Sequence, residues 1–195
     1  MKFPVPKILS AVTIGLTLIG VAILTLIDEQ RTIWHVVSRL NEVGAEHQSL
    51  ASGLFLLIGV FWIGTLDQTR RWLEPQPFDG WLRFSAMAFA ASYLLSMVFP
   101  CDEGCKPSGS LSQWLHLTLV WGLYFGPAVF AARALQQYSG LIRGLSIVVI
   151  LFFAVLHVDL LFFDGRTSGV WQRAYEAVFC LLWWQVLSRL LRTPD

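Results

Sequence analysis

Six apolar stretches constrain this chain more than any other feature of its sequence. They occupy residues 8–27, 50–66, 82–99, 112–132, 144–163 and 171–190. Each approaches the roughly 20 residues that an α-helix needs to cross a bilayer. Backbone groups in hydrocarbon must be hydrogen-bonded within the segment, so each stretch is predicted to be a transmembrane helix. Asp28 and Glu29 follow the first stretch in place of a small-residue cleavage site, which favours a retained helix over a signal peptide.

The composition supports the same class. Hydrophobic residues make up 55% of the 195 residues and charged residues only 14%, against about 25% charged residues in an ordinary soluble domain. The net charge of +1, without a basic run, excludes a nucleic-acid partner. The sequence therefore predicts an all-α polytopic bundle of six transmembrane helices, in a single domain over residues 1–195, with membrane lipids around it. No feature names a protein partner.

Lys and Arg predict the orientation. Nine of them fall in the segments on the side of the N-terminus and five on the other side. By the positive-inside rule, both termini are expected in the cytoplasm, as in a multi-pass protein of a bacterial inner membrane.

In the first outer segment, apolar residues recur at helical spacing, which predicts a short amphipathic helix that lies at the interface or caps the bundle. They are Ile33, Val36, Val37, Leu40 and Val43.

Ionisable residues are concentrated in the outer half of the predicted bundle. All four histidines fall there, and a layer drawn from helices four, five and six contains His116, His157, Asp159 and Glu176, with Asp102 just above it. Because an unpaired ionisable group in a membrane costs several kcal/mol, such residues indicate a functional site.

Three chemistries would use this layer. Zn²⁺ or another divalent ion takes His and carboxylate ligands, two histidines can bind a haem iron, and a chain of His and carboxylates can relay protons. The sequence contains no His-Glu-x-x-His motif, and His157 and Asp159 are expected to point about 200° apart on their helix. The alternative is that these residues form buried structural pairs.

The loop after the third stretch reads Phe-Pro-Cys-Asp-Glu-Gly-Cys, residues 99–105. Pro100 is expected to end the helix, and Ser110-x-x-Gln113 has the form of a capping box that opens the next one. Cys101 and Cys105 would face the oxidising side, which predicts a disulfide that fixes the direction of Asp102. Redox-active thiols and a soft metal site are the alternatives.

This loop, the serine-rich turn after it and His116 together resemble the domain of unknown function 998 family of membrane proteins. Residues 37–40, with Gly53 and Gly59, are similar to that family's first outer loop and second helix. The resemblance implies a six-helix bundle and points to Asp102 and His116, without implying an activity. An Asp with histidines at one face of a bundle is also similar to the ceramidase and adiponectin-receptor group of zinc hydrolases, which have seven helices and a His-x-x-x-His pair that this sequence does not have.

Two classes of function follow. In the first, the protein is a metal-dependent hydrolase acting on a lipid or lipid-linked substrate at the outer leaflet. Its catalytic residues would be Asp102, His116 and His157, and its metal ligands would come from His116, His157, Glu176 and Asp159. Asp102 would accept a hydrogen bond from one imidazole nitrogen of His116, and His157 would approach from helix five. In the second, the protein is a non-catalytic assembly factor, ligand binder or haem binder whose polar layer is structural.

Overall fold

The computed structural model describes residues 5–28, 32–73, 79–106, 108–163 and 165–192, and the residues in these ranges form helices and turns without a β-strand. The six helical segments of this part of the chain are α1 (Val5–Ile27), α2 (Gln48–Leu73), α3 (Gly80–Val98), α4 (Leu111–Gln137), α5 (Leu141–Phe162) and α6 (Ser168–Leu190). Consecutive helices are antiparallel, so one end of the bundle carries the start of α1 and the end of α6 and is called the termini end. The other end carries the 99–110 loop and is called the cysteine end.

Five of these helices, α1 to α5, are long and apolar enough to cross a membrane. The α6 helix is as long but carries Arg173, Glu176 and Arg189. Twelve of its 23 residues are buried against the other helices. Glu176 is therefore held inside protein, whereas Arg173 is half-buried and Arg189 is exposed in the last turn. A charged group held inside the bundle explains part of the less apolar composition of α6. The predicted six-helix, all-α bundle is present in the described residues.

Local sequence sets the helix boundaries. The Asp79 carboxylate accepts hydrogen bonds from the backbone N–H groups of Trp81 and Leu82 and so caps the start of α3. The Ser110 hydroxyl accepts one from the N–H of Gln113 and caps α4, as the sequence predicted. Helix α3 ends at Val98, two residues before Pro100.

Helix α4 departs from regular α-helix twice. A π-helical turn covers His116–Val120, and a second irregularity at Phe125 precedes Gly126 and Pro127. A side chain at Gly126 would collide with the backbone carbonyl of Ser85, so glycine permits α3 and α4 to touch here. The π-helical turn is the feature that positions His116, because such turns reorient the side chains of a helix and are frequent at functional sites.

An aromatic cluster fills the centre of the bundle. The Trp62 ring contacts the rings of Phe89, Phe179 and Trp183, with centroids 5.5–5.6 Å apart. All four side chains are essentially inaccessible. The Trp183 indole N–H donates to the Ser10 hydroxyl at 2.9 Å, and this bond joins α6 to α1. Aromatic packing and hydrogen-bonded indoles therefore hold these helices together.

The first connection at the cysteine end folds onto the bundle. Where a short amphipathic helix was predicted, the structure has a 3₁₀ helix at Val37–Asn41, and Val37 and Leu40 are each 2% exposed. The Val37 N–H donates to the Gln172 side-chain oxygen at 2.8 Å, and the Asn41 amide donates to the Ser96 carbonyl at 2.8 Å. This turn caps the bundle, because its apolar side chains and its polar groups both find partners on α3 and α6.

Candidate functional site

The 99–110 loop is tied to the first connection. The Sγ atoms of Cys101 and Cys105 are in bonding contact, with Cα atoms 5.1 Å apart, as expected for the predicted disulfide. The Val43 N–H donates to the Cys101 carbonyl at 2.9 Å. The Glu42 carboxylate accepts hydrogen bonds from the Gly104 N–H at 3.3 Å and the Arg39 Nε at 2.9 Å. These bonds join two loops into one cover over the cysteine end.

Glu42 also lies beside the cysteine pair. Its Oε2 atom is 3.8 Å from the Cys105 Sγ, and the ligand atoms of Glu42, Cys101 and Cys105 all fall within 4.8 Å of one another. Such a group can hold a metal ion when both sulfurs are thiolates. With the sulfurs joined to each other, its role is to link the two loops.

Asp102 is held by the start of α4. Its carboxylate accepts hydrogen bonds from the Ser110 N–H and the Ser110 hydroxyl, each at 2.7 Å. These bonds hold the pKa of the Asp102 carboxyl below its usual range. The expected hydrogen bond between Asp102 and His116 is not formed, because both carboxylate oxygens are directed to Ser110. Asp102 therefore orders the loop and does not orient the imidazole.

His116 is oriented by a backbone group instead. Its Nδ1 lies 2.8 Å from the Phe99 carbonyl oxygen at the end of α3. A carbonyl can only accept, so Nδ1 carries the proton and Nε2 is left with a lone pair. The Nε2 atom is shielded from water and has no hydrogen-bond partner.

His157 has the same arrangement on α5. Its Nδ1 lies 2.8 Å from the Phe153 carbonyl, one turn earlier on the same helix. Its Nε2 is also buried without a hydrogen-bond partner. Its ring packs against Phe153, Phe125 and Trp121 at centroid distances of 4.0, 5.2 and 5.6 Å. Aromatic contacts therefore fix the ring, and one nitrogen is left without a partner.

Both histidines line one apolar cleft between α4 and α5, which we call the histidine cleft. It has a volume of about 360 Å³ and is otherwise lined mostly by apolar side chains, among them Leu117, Trp121 and Leu160. Its rim includes Leu161, which is 75% exposed, and Phe125, which is 45% exposed, so the cleft opens on the flank of the bundle. Its size and lining are typical of a small-molecule site with few polar groups.

Glu176 lies in a different cavity, which we call the glutamate cavity. The Tyr124 hydroxyl donates to its Oε1 at 2.6 Å, and the Tyr175 hydroxyl donates to the Tyr124 carbonyl at 3.2 Å. The cavity is also lined by Tyr93 and Gln172 and has a volume of about 30 Å³, which is room for about one water molecule. Ser38 lines both this cavity and the histidine cleft, so the two are neighbours.

Asp159 belongs to neither. Its carboxylate accepts hydrogen bonds from the Thr167 N–H at 3.1 Å and the Thr167 hydroxyl at 2.8 Å. Three residues before the end of α5, Asp159 lies only about 5 Å below that end, within reach of the following turn. It closes the α5–α6 connection and does not approach a histidine.

The structure thus divides the predicted layer. His116 and His157 come together, whereas Glu176 and Asp159 are each paired elsewhere. Among the residues that the structure describes, three or more His, Cys, Asp or Glu ligand atoms converge only at Glu42, Cys101 and Cys105. The four predicted metal ligands therefore do not form one such group. Glu176 lies eight residues into α6, about 12 Å deep, because the helix begins at Ser168 rather than at the predicted 171.

Sequence reasoning missed Tyr93, Tyr124 and Arg173. The Arg173 guanidinium donates to the carbonyls of Ile33 and His35 and to the Thr25 hydroxyl, so it joins α6 to the first connection. The two tyrosines line the glutamate cavity. The sequence did hold a signal for the two tyrosines, because each is a hydroxyl-bearing aromatic residue in an apolar stretch at the depth of a carboxylate on another helix.

No protein-family model, no curated protein and no solved structure matches this chain. The resemblance to the domain of unknown function 998 family therefore stays a prediction.

Proposed function

We propose that the chain is a six-span membrane protein that binds a hydroxyl- or amide-bearing lipid in the histidine cleft. One observation carries the proposal: two imidazoles, each with an unpartnered Nε2, line a single apolar cleft on the flank of the bundle. Because buried polar atoms are normally hydrogen-bonded, a ligand that donates to these nitrogens would be stabilised here. A flank opening gives a lipid access from the bilayer.

The charge of the site favours a neutral donor. No carboxylate lines the described part of the cleft. Glu176 is bonded to Tyr124 in the next cavity, and Glu42, which lies 3.8 Å from the sulfur of the lining residue Cys105, is bonded to Arg39. A divalent cation held by two neutral imidazoles would keep its charge uncompensated in an apolar surrounding, which is costly. A lipid hydroxyl or amide N–H carries no such cost.

Metal-dependent hydrolysis is the second candidate, and one observation favours it. Each Nδ1 is anchored to a backbone carbonyl, which is how metal-binding histidines are commonly oriented. Elemental analysis of the purified protein, with an absorbance spectrum for haem, distinguishes the two. Metal at about one per chain that disappears in His116→Ala would favour this candidate.

Equilibrium binding in lipid nanodiscs tests the main proposal. The probe is dioctanoylglycerol, which has a free hydroxyl, and its acetylated analogue is the matched ligand without that donor. We expect the free hydroxyl to bind at least about tenfold more tightly, as one hydrogen bond in an apolar site allows. His116→Ala and His157→Ala should each remove this preference, and His47→Ala, outside the cleft, should keep it. Equal binding of the two probes would reject the proposal.

The proposed orientation places the cysteine end outside and both termini in the cytoplasm, with the sixth helix also spanning. A single cysteine introduced at residue 35 or 108 should react with a membrane-impermeant thiol reagent from the outside, in a chain whose native cysteines are replaced by serine. Labelling only after the membrane is opened would contradict this orientation.

The disulfide is proposed to persist in the native membrane. Non-reducing mass spectrometry of alkylated protein should recover residues 101 and 105 unmodified by the alkylating reagent, because the extracytoplasmic side is oxidising. Two alkylated thiols at these positions would instead leave the Glu42, Cys101 and Cys105 group open to a soft metal ion.

A further inference from the structure

The termini end contains a recess with a basic rim. It lies between the α4–α5 connection and the last turns of α6, has a volume of about 420 Å³, and is lined by Arg189, Arg192, Ser139, Ser188, Gln185 and Ile142, with Leu141 at its edge. Gly140, with φ +63°, makes the tight turn that brings the connection to α6. The recess therefore combines two guanidinium groups, several neutral polar side chains and an apolar floor.

The two arginines differ from other arginines at the same end. Arg133 is paired with Asp79 at 2.9 Å, and Arg71 with Asp67 at 2.8 Å. Within the described ranges, neither Arg189 nor Arg192 has a carboxylate partner, and no carboxylate lines the recess. The Arg189 guanidinium lies over the Tyr138 ring, 5.9 Å from its centroid, which orients the group without neutralising it.

Such a recess matches a phosphate. A guanidinium offers paired N–H donors in a planar fork that fits phosphate oxygens, and hydroxyl and amide side chains supply further hydrogen bonds. Two positive charges around one concavity, without a carboxylate partner in the described residues, favour an anion with more than one oxygen. The recess also borders the facing ends of α4 and α5, two helices long and apolar enough to cross a membrane, and a lipid headgroup would lie at that level.

The apolar part of the recess indicates a lipid as the source of the phosphate. Ile142 is 7% exposed and forms the floor, and Leu141, which is 64% exposed, stands at the edge. A soluble phosphate would not cover this apolar surface, whereas the first methylenes of acyl chains would.

We propose that this recess binds the phosphate headgroup of an anionic phospholipid at the termini end of the bundle. The phosphate oxygens accept hydrogen bonds from Arg189 and Arg192, and the acyl chains leave past Leu141. The site is separate from the histidine cleft, which is at the opposite end, so the two proposals can fail independently.

Binding of dioctanoyl phosphatidate to the protein in phosphatidylcholine nanodiscs tests this. The probe has no free hydroxyl on its glycerol, which keeps it from the donor chemistry proposed for the histidine cleft. Arg192→Gln should weaken its binding about tenfold or more. Arg143→Gln removes an exposed positive charge at the same end of the bundle, outside the recess, and should leave the affinity unchanged. The combined substitution of His116 and His157 by Ala should also have no effect.

Three results would overturn the proposal. The first is equal affinity of Arg192→Gln and the unaltered protein. The second is an equal loss in Arg143→Gln, which would show a general charge effect. The third is displacement of phosphatidate by inorganic phosphate at the same concentration, which would assign the recess to free phosphate. If Arg192→Gln and the unaltered protein have the same melting temperature without lipid, the variant is folded. Arg192→Lys keeps the charge but not the planar fork, so its affinity should fall between those of Arg192→Gln and the unaltered protein.

Discussion

The histidine cleft and the glutamate cavity are adjacent, share Ser38, and use polar residues that the sequence places at similar depth, yet they differ in how those residues are satisfied. In the cleft, of about 360 Å³, each imidazole keeps one nitrogen without a partner. In the cavity, of about 30 Å³, the Glu176 carboxylate accepts a hydrogen bond from Tyr124 at 2.6 Å.

This contrast separates polar residues with a structural role from polar residues that are candidates for ligand binding, within a single layer. A carboxylate closed in a cavity with a tyrosine donor stabilises the packing of α4 against α6, because leaving either group alone in an apolar surrounding costs free energy. The two imidazoles beside the apolar cleft each keep one nitrogen without such a partner, which is the basis for proposing a ligand there. Depth along the helices is therefore not what distinguishes the two regions. Unsatisfied atoms alone do not either, because the Ser96 hydroxyl at the glutamate cavity also has no partner; the histidine cleft differs in having room for a ligand beside such atoms.

The largest effect is expected from Glu176→Ala. The change removes the acceptor of the Tyr124 hydroxyl and leaves a void, and we expect a loss of about 3 kcal/mol in the free energy of unfolding. Unfolding in mixed micelles, followed by circular dichroism, measures it. Glu176→Gln keeps an acceptor and the volume, so it should lose much less. A fully stable Glu176→Ala would make the glutamate cavity the better candidate for a ligand site.

An intermediate effect is expected from His116→Ala. The protein loses the hydrogen bond to the Phe99 carbonyl, worth about 1 kcal/mol, and the packing of a buried ring. Because that ring already borders the histidine cleft, we expect a smaller loss than for Glu176→Ala, and the protein should insert and fold. The same micelle titration, run beside Glu176→Ala, gives the comparison directly. If the histidine substitution destabilises the fold as much as the glutamate substitution does, the two regions are both structural and the distinction drawn between them is wrong.

The smallest effect is a pH dependence at the loop that covers the cleft. Hydrogen bonds from the Ser110 N–H and hydroxyl lower the pKa of the Asp102 carboxyl in the folded protein. A carboxyl with a lowered folded pKa stabilises its loop above the unfolded pKa, near 4, and loses that contribution as the pH falls through the folded pKa. Hydrogen exchange of residues 99–110 should therefore quicken as the pH falls below about 4, after correction for the intrinsic exchange rate.

Asp102→Asn is the control for this dependence, because its side chain does not ionise. It should remove the acid-dependent part of the exchange and leave the glutamate cavity untouched. An acid response of the same size in the variant would show that another group controls the loop.

Much of the fold was predictable from the sequence. The number and order of the helices follow from apolar stretches that only an α-helix can carry across hydrocarbon. Pro100 and the Ser110 cap were readable because they act on neighbouring backbone groups. The proximity of Cys101 and Cys105 was predictable for the same reason, since four residues around a glycine turn bring two sulfurs together whatever the rest of the chain does.

The hydrogen-bond partners of the polar side chains were decided by the tertiary structure alone. Asp102 was expected to orient His116, but the Ser110 cap takes both carboxylate oxygens, and the Phe99 carbonyl is left to hold the imidazole. Glu176 and Asp159 appeared equivalent to the histidines in depth, yet Tyr124 and Thr167 bind them. Spacing along a helix gives depth and face, which are local properties. The side chain that lies opposite on another helix depends on how the helices cross. It also depends on a close contact such as Gly126 against Ser85 and on the π-helical turn at His116. These features arise only when the six helices pack together.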